Sequence, residues 1–172
     1  MKKTRTKILA GVVLFAAVLL ITGIVWAKAT KTPISGKQTV QVIGPPVREW
    51  VDDEGIAHYR GFPSVFVFVS GDLDGTGSSV VNVNYDPATG NGDESGAATI
   101  NVNWGDLEGT FEGHLTGTYA KGFSTGTAVY HGISGDFEGM KMMLSYITTF
   151  TGPPGTVWPV TFQGIILDPH GE

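Results

Sequence analysis

From Val47 to Leu167 apolar and polar residues alternate with a period of two, in short runs separated by glycine-rich turns. Successive side chains of a strand point to opposite faces, so this pattern commits the segment to half-buried β-strands. "VREWV" and "IAHYR" flank the acidic turn "DDEG", which is a hairpin signal. Next come "SVFVFVS", "SSVVNVNY", "ATINVNW", "GTFEGHLTGTY", "FSTGTAVYHG", "MKMMLSYITTF" and "VWPVTFQGIIL". No stretch after the first 29 residues has helical spacing, and 25 glycines suit close turns and bulges better than helices. The expected fold is all-β: an antiparallel, up-and-down barrel of about eight strands, with a sandwich as the second choice.

One phrase is written three times: "GDLDGT" at 71–76, "GDLEGT" at 105–110 and "GDFEGM" at 135–140. Two strands separate each phrase from the next, so a meander puts all three on one rim. The residue types are those of hairpin turns, with Asp bonding nearby backbone and Gly supplying positive φ. A functional reading stands beside it. Asp72, Asp74, Asp106, Glu108, Asp136 and Glu138 would crowd that rim, and carboxylates with turn carbonyls are the oxygen ligands that Ca²⁺ selects. "DLDG" matches only the start of a calcium loop and lacks its twelfth-position Glu.

The paired phrases "VNVNY" and "INVNW" place Asn82 and Asn84, and likewise Asn101 and Asn103, opposite an apolar face. With an eleven-residue loop "DPATGNGDESG" at 86–96 joining the strands, the four asparagines would form a polar ladder, either solvated or lining a ligand pocket. Other chemistry is sparse. His58, His114, His131 and His170 have no spacing suited to zinc, and no nucleophile elbow occurs. Nothing demands a carboxylate pair from Glu112 and Glu138. Trp50, Trp104 and Trp158 read as core or rim packing.

The beginning of the chain speaks to location. Lys2, Lys3, Arg5 and Lys7 precede an uncharged run from Ile8 to Trp26, and Ala27-Lys28-Ala29 has the small-x-small pattern of a cleavage site. The run is also nearly long enough to cross a bilayer as a helix. Residues 1–29 are therefore expected to be a signal peptide or an N-terminal membrane-anchoring hydrophobic helix. Both place the residues after Lys28 outside the cytoplasm. Residues 30–46 have little periodicity apart from a candidate short strand at 39–43 and end in Pro45-Pro46, so they read as a flexible tether. The barrel domain is expected over 47–168, with 169–172 as a tail.

The chain has no cysteine, which excludes disulfides, thiolate metal sites and a Cys nucleophile. Beyond Ala29 six basic residues face sixteen acidic ones, a net charge of −10. Such a domain repels phosphate backbones, so nucleic acid is excluded as a partner.

"VSGDLDGTG", "GTFEGHLTGTY", "GISGDFEGM" and the ending "FQGIILDP" resemble the small barrels related to allene oxide cyclase and plant dirigent proteins, closest to uncharacterised bacterial and archaeal members. The resemblance spans roughly residues 47–168. It implies an eight-stranded barrel, compatible with a homo-oligomer, and a cavity that in characterised relatives guides cyclisation or radical coupling of apolar substrates. Three functions compete at this point. They are a non-enzymatic exported binding or surface module, an enzyme like those relatives acting on an apolar small molecule, and a calcium-dependent adhesion or matrix protein.

Overall fold

The computed structural model describes residues 29–120, 122–149 and 155–171. Of the leader expected at 1–29, residues 1–28 lie outside them. Among the described residues there is no helix, and nine strands are found. They are β1 (Thr30–Val42), β2 (Arg48–Val51), β3 (Ala57–Gly71), β4 (Asp74–Asp86), β5 (Asn91–Trp104), β6 (Leu107–Ala120), β7 (Phe123–Gly135), β8 (Lys141–Thr149) and β9 (Val157–Asp168). From β3 to β9 each strand pairs antiparallel with the next, and β1 pairs with both β9 and β3. The ring is a closed eight-stranded barrel, with β2 as an additional strand.

Closure by β1 corrects the expected tether. Residues 30–42 are a full wall of the barrel, running from Thr30 opposite Asp168 to Val42 opposite Ser64. The domain thus begins at Thr30 rather than at Val47. Pro33 lies where β1 has only β9 beside it, since pairing with β3 starts at Gly36, and a strand with one open side is where proline is tolerated. The next residue, Ile34, is buried in the core.

Barrel strands must tilt, and the ladder therefore closes with a stagger. Cross-strand partners followed once round the ring run from Phe68 through Gln38, Val160, Thr148, Ser124, Tyr119, Gly92 and Tyr85 to Ala57. The path returns to β3 eleven residues nearer its start. β1 ends at Ser64, so the first part of β3 needs another partner. β2 supplies it, pairing Arg48 with Arg60 and Val51 with Ala57. β1 and β2 run in one direction along one edge of β3 and are one strand interrupted at Gly44-Pro45-Pro46, where proline has no N–H for the ladder.

The rim carrying the β3–β4, β5–β6 and β7–β8 turns, called lower here, holds all three repeated phrases, as meander geometry requires. They have two structures. In the first, the Asp72 N–H donates to the Ser35 carbonyl (3.0 Å), and the Asp72 carboxylate accepts from the Ser35 N–H (2.6 Å). The third repeats this on another strand. Asp136 N–H donates to the Glu108 carbonyl (2.9 Å), and its carboxylate accepts from the Glu108 N–H (3.0 Å). Gly71 and Gly135 have φ of 117° and 68°, and a Cβ at either would collide with those same carbonyls. The second phrase is a plain two-residue hairpin turn, Gly105-Asp106, between paired Trp104 and Leu107. The apolar residue of each phrase turns inward: Leu73 and Phe137 are buried, and Leu107 packs on the core.

These residues plug the lower end. Phe137 stacks on Phe111 at 4.8 Å, among fully buried Ile100, Met142 and Ile166. The two clamp-forming aspartates should therefore matter where the hairpin aspartate does not. Asp136→Ala is expected to lower unfolding free energy by about 1 kcal/mol or more, and Gly135→Ala by about 1–3 kcal/mol. Asp106→Ala should stay within about 0.5 kcal/mol of the parent. Urea denaturation of the three variants checks the ranking.

Candidate functional site

Above the plug the interior is not filled. Small or polar side chains, Ser64, Ser79 and Ala128, take inward positions where the lower half has phenylalanines. A cavity of about 320 Å³ results, lined by 24 residues from all eight barrel strands. That is the lower end of the size range of small-molecule sites. Its wall is mostly apolar, including Val40, Val81, Val83, Leu115 and Trp158. The chain has five tyrosines, Tyr59, Tyr85, Tyr119, Tyr130 and Tyr146, and every one of them lines this cavity.

One carboxylate enters it. Glu94 on β5 is only 8% exposed and accepts three hydroxyl hydrogen bonds. Tyr119 donates to Oε2 (2.5 Å), while Ser124 (2.7 Å) and Tyr146 (2.6 Å) donate to Oε1. Three strands thus converge on the carboxylate, from β6, β7 and β8. Two glycines make the space. A Cβ at Gly117 would sit 2.7 Å from both Glu94 Oε1 and the Tyr146 hydroxyl, and one at its cross-strand partner Gly126 would overlap the Tyr146 phenol. Burial, and next the negative charge of Glu94, push the Tyr119 and Tyr146 phenols far above the usual tyrosine range. Burial alone pushes Tyr130 up to about 12. The phenols are neutral donors at physiological pH.

A second polar group lies on the outer face, beside the β2–β3 hairpin. Asn84 fixes its logic. Its Nδ2 donates to Asp93 (2.7 Å), and its Oδ1 accepts from Arg60 (2.7 Å), so the atom facing His58 Nδ1 at 2.8 Å is an acceptor. His58 Nε2 faces the Asp52 carboxylate, also at 2.8 Å. Each ring nitrogen faces an acceptor at short range, an arrangement that favours the imidazolium, while the Arg60 guanidinium 3.4 Å from Nδ1 opposes it. Trp50 stacks on this ring at 4.8 Å, and the Arg48 and Arg60 guanidinium groups lie over the indole.

The residues expected to form sites stand apart from the cavity. Asn82, Asn84, Asn101 and Asn103 do not line it. β4 and β5 do pair, but Asn82 faces Ser95 and Asn84 faces Asp93, whereas Asn101 faces Thr76 and Asn103 faces Asp74. The two pairs sit at opposite ends of the ladder and form no continuous row. The cause is the loop. Asp86 caps Ala88 N–H and the Thr89 hydroxyl, closing a turn of only four residues, 87–90, so 91–96 belong to β5. That correction moves Glu94 from an expected loop to the barrel wall. Alternation from Gly92 through Glu94 to Ile100 places it inward once the short turn is recognised. Asn82 accepts the Gly61 N–H at a bulge of β3, and Asn101 accepts the Thr110 hydroxyl.

Asp72, Asp74, Asp106, Glu108, Asp136 and Glu138 do share the lower rim, where all are exposed. Among the described residues no three His, Asp or Glu side chains gather as a metal-binding group. Two of these carboxylates are engaged with the backbone clamps instead. Trp158 is a cavity wall, Trp104 packs on the core, and Trp50 belongs to the outer cluster. Comparison with protein-family models, curated proteins and solved structures finds no match.

The outer cluster generates a pH prediction. The hydrogen bond to Asp52, then that to Asn84, raises the His58 pKa, and Arg60 opposes the rise. The His58 hydrogen bond foremost lowers Asp52 from its ordinary 3.8. The His58 contribution is complete below its unfolded value of about 6.5 and is lost as pH rises through the higher folded value. The Asp52 contribution is present above 3.8 and lost as pH falls through the lower folded value. The hairpin should be tightest between the two folded values and loosen at alkaline pH. Amide exchange at Glu54 and Ile56, with an NMR titration of His58, checks this. A His58 midpoint at or below about 6.5 would contradict it.

Proposed function

We propose that the chain is an exported, non-enzymatic binding protein whose barrel encloses one small, largely apolar molecule. The observation that carries this reading is the 320 Å³ cavity, apolar on most of its wall and polar at one convergent cluster. A well-packed interior would be more stable, because unfilled apolar space forfeits dispersion contacts. Burying a carboxylate among them adds a further cost. Both costs are intelligible if the space is used. The basic start and the uncharged run Ile8 to Trp26 support export, with the barrel released or held at the membrane by that segment. Among the described residues no helix is long and apolar enough to cross a membrane.

A second reading has its own support. A buried accepting carboxylate beside two neutral phenols in an apolar-walled cavity is equipment for general acid–base catalysis. The resemblance to allene oxide cyclase and dirigent barrels points the same way. Such an enzyme would return an apolar ligand chemically changed, whereas a binding protein returns it intact, a difference that mass spectrometry of the recovered ligand reads.

The binding reading is tested with prodan, an uncharged naphthalene dye. The protein should bind one equivalent with a blue-shifted emission. Val81→Phe, which fills the cavity, should weaken binding at least tenfold with the melting temperature retained. Absence of binding, or equal binding by the filled variant, would reject the proposal.

A further inference from the structure

We infer that the molecule held in the barrel is a cation, an apolar amine or ammonium compound whose charged nitrogen docks on Glu94 Oε2. This rests on the cavity reading and adds the ligand's chemical class.

The first argument is charge. Among the 24 lining residues there is one carboxylate and no Lys, Arg or His. The only ion pair formed among the described residues is that of His58 with Asp52, on the outer face. An anionic ligand, such as a fatty acid, would bring a second negative charge into a low-dielectric space that already holds one, where like charges interact strongly. An ammonium group would bring the missing counter-charge, and the cost of burying Glu94 would be offset by a pair rather than by hydroxyls alone.

The second argument is hydrogen-bond capacity. A carboxylate has about four acceptor positions. Ser124 and Tyr146 occupy both on Oε1, and Tyr119 occupies one on Oε2. One acceptor position remains, on Oε2. Each of the three hydroxyls has a single proton and gives it to Glu94. The cluster therefore offers an incoming molecule acceptors and no donor. A ligand carboxylate or ketone finds no donor at this cluster, while an ammonium finds a carboxylate oxygen.

The third argument is the wall. Ten of the 24 lining residues are aromatic, all five tyrosines and Trp158 among them. Aromatic faces attract cations, most strongly where water is excluded. An aromatic-lined cavity with one uncompensated carboxylate matches an amine better than it matches a neutral hydrocarbon of equal size.

The test displaces prodan from the full-length protein at pH 7 with three ligands on one frame: 3-phenylpropylamine, 3-phenylpropanol and 3-phenylpropanoate. The amine should bind at least tenfold more tightly than the alcohol, and the carboxylate most weakly. In Glu94→Gln the amine's advantage over the alcohol should collapse. If that variant fails to fold, the series on the unaltered protein decides alone. An amine advantage below tenfold, or a carboxylate that matches the amine, overturns the inference and leaves the cavity reading intact. Failure of prodan and of all three ligands to bind overturns the cavity reading itself.

Discussion

The seven strands from β3 to β9 form a sheet with two edges, and one further strand consumes both. β1 pairs with β3 on one side and β9 on the other, and the rest of the architecture depends on that closure. Closure leaves the ring without a full-length open edge, and the ladder stays one-sided along residues 30–35 and along β2. Closure also imposes the stagger that makes β3, at 15 residues, the longest strand. The stagger in turn calls for β2, which carries the outer cluster of Trp50 with His58. The ring finally separates an inside from an outside, and so gives alternation its meaning. Val81, Val83 and Tyr85 become cavity wall while Asn82 and Asn84 become surface.

Inside the ring, side-chain size decides the division of labour. The lower half is packed by Phe111, Phe137, Ile100 and Met142 and sealed by the apolar residue of each repeated phrase. The upper half replaces bulk with serine, alanine and glycine. The same substitution that leaves room also arranges the polar group, since Gly117 and Gly126 are small where Glu94 and Tyr146 meet. Stability is concentrated at one end and recognition at the other. Neither end can be read from its own strands alone.

The alternation makes strand existence and the barrel class legible, and the spacing of the repeated phrases puts them on one rim, where they are found. Turn chemistry is less legible. "DPATG" closes in four residues because Asp86 caps it, and a longer loop there displaces the inner face of β5 and hides Glu94. The first part of β1 is hidden for a different reason. "TKTPISGKQ" offers one buried hydrophobe, Ile34, and a glycine that lies against Phe162, so its partners define it more than its own composition does. The tyrosines are visible as residues, but their convergence is a property of the closed ring. Long-range pairing, which no local pattern encodes, accounts for the hidden strand and the hidden cluster alike.

The pairing of Thr30 with Asp168 joins the first described strand to the last. β1 is made early and must wait for β9 before its second ladder can form. For a chain synthesised from its amino end, ring closure is the final event, and until then β1 and β8 each present an open edge. Contacts so distant in sequence make for slow folding and leave partly folded chains prone to aggregate. The barrel is therefore an all-or-nothing object. A chain cut within β9 does not lose one strand out of eight; it loses the ring.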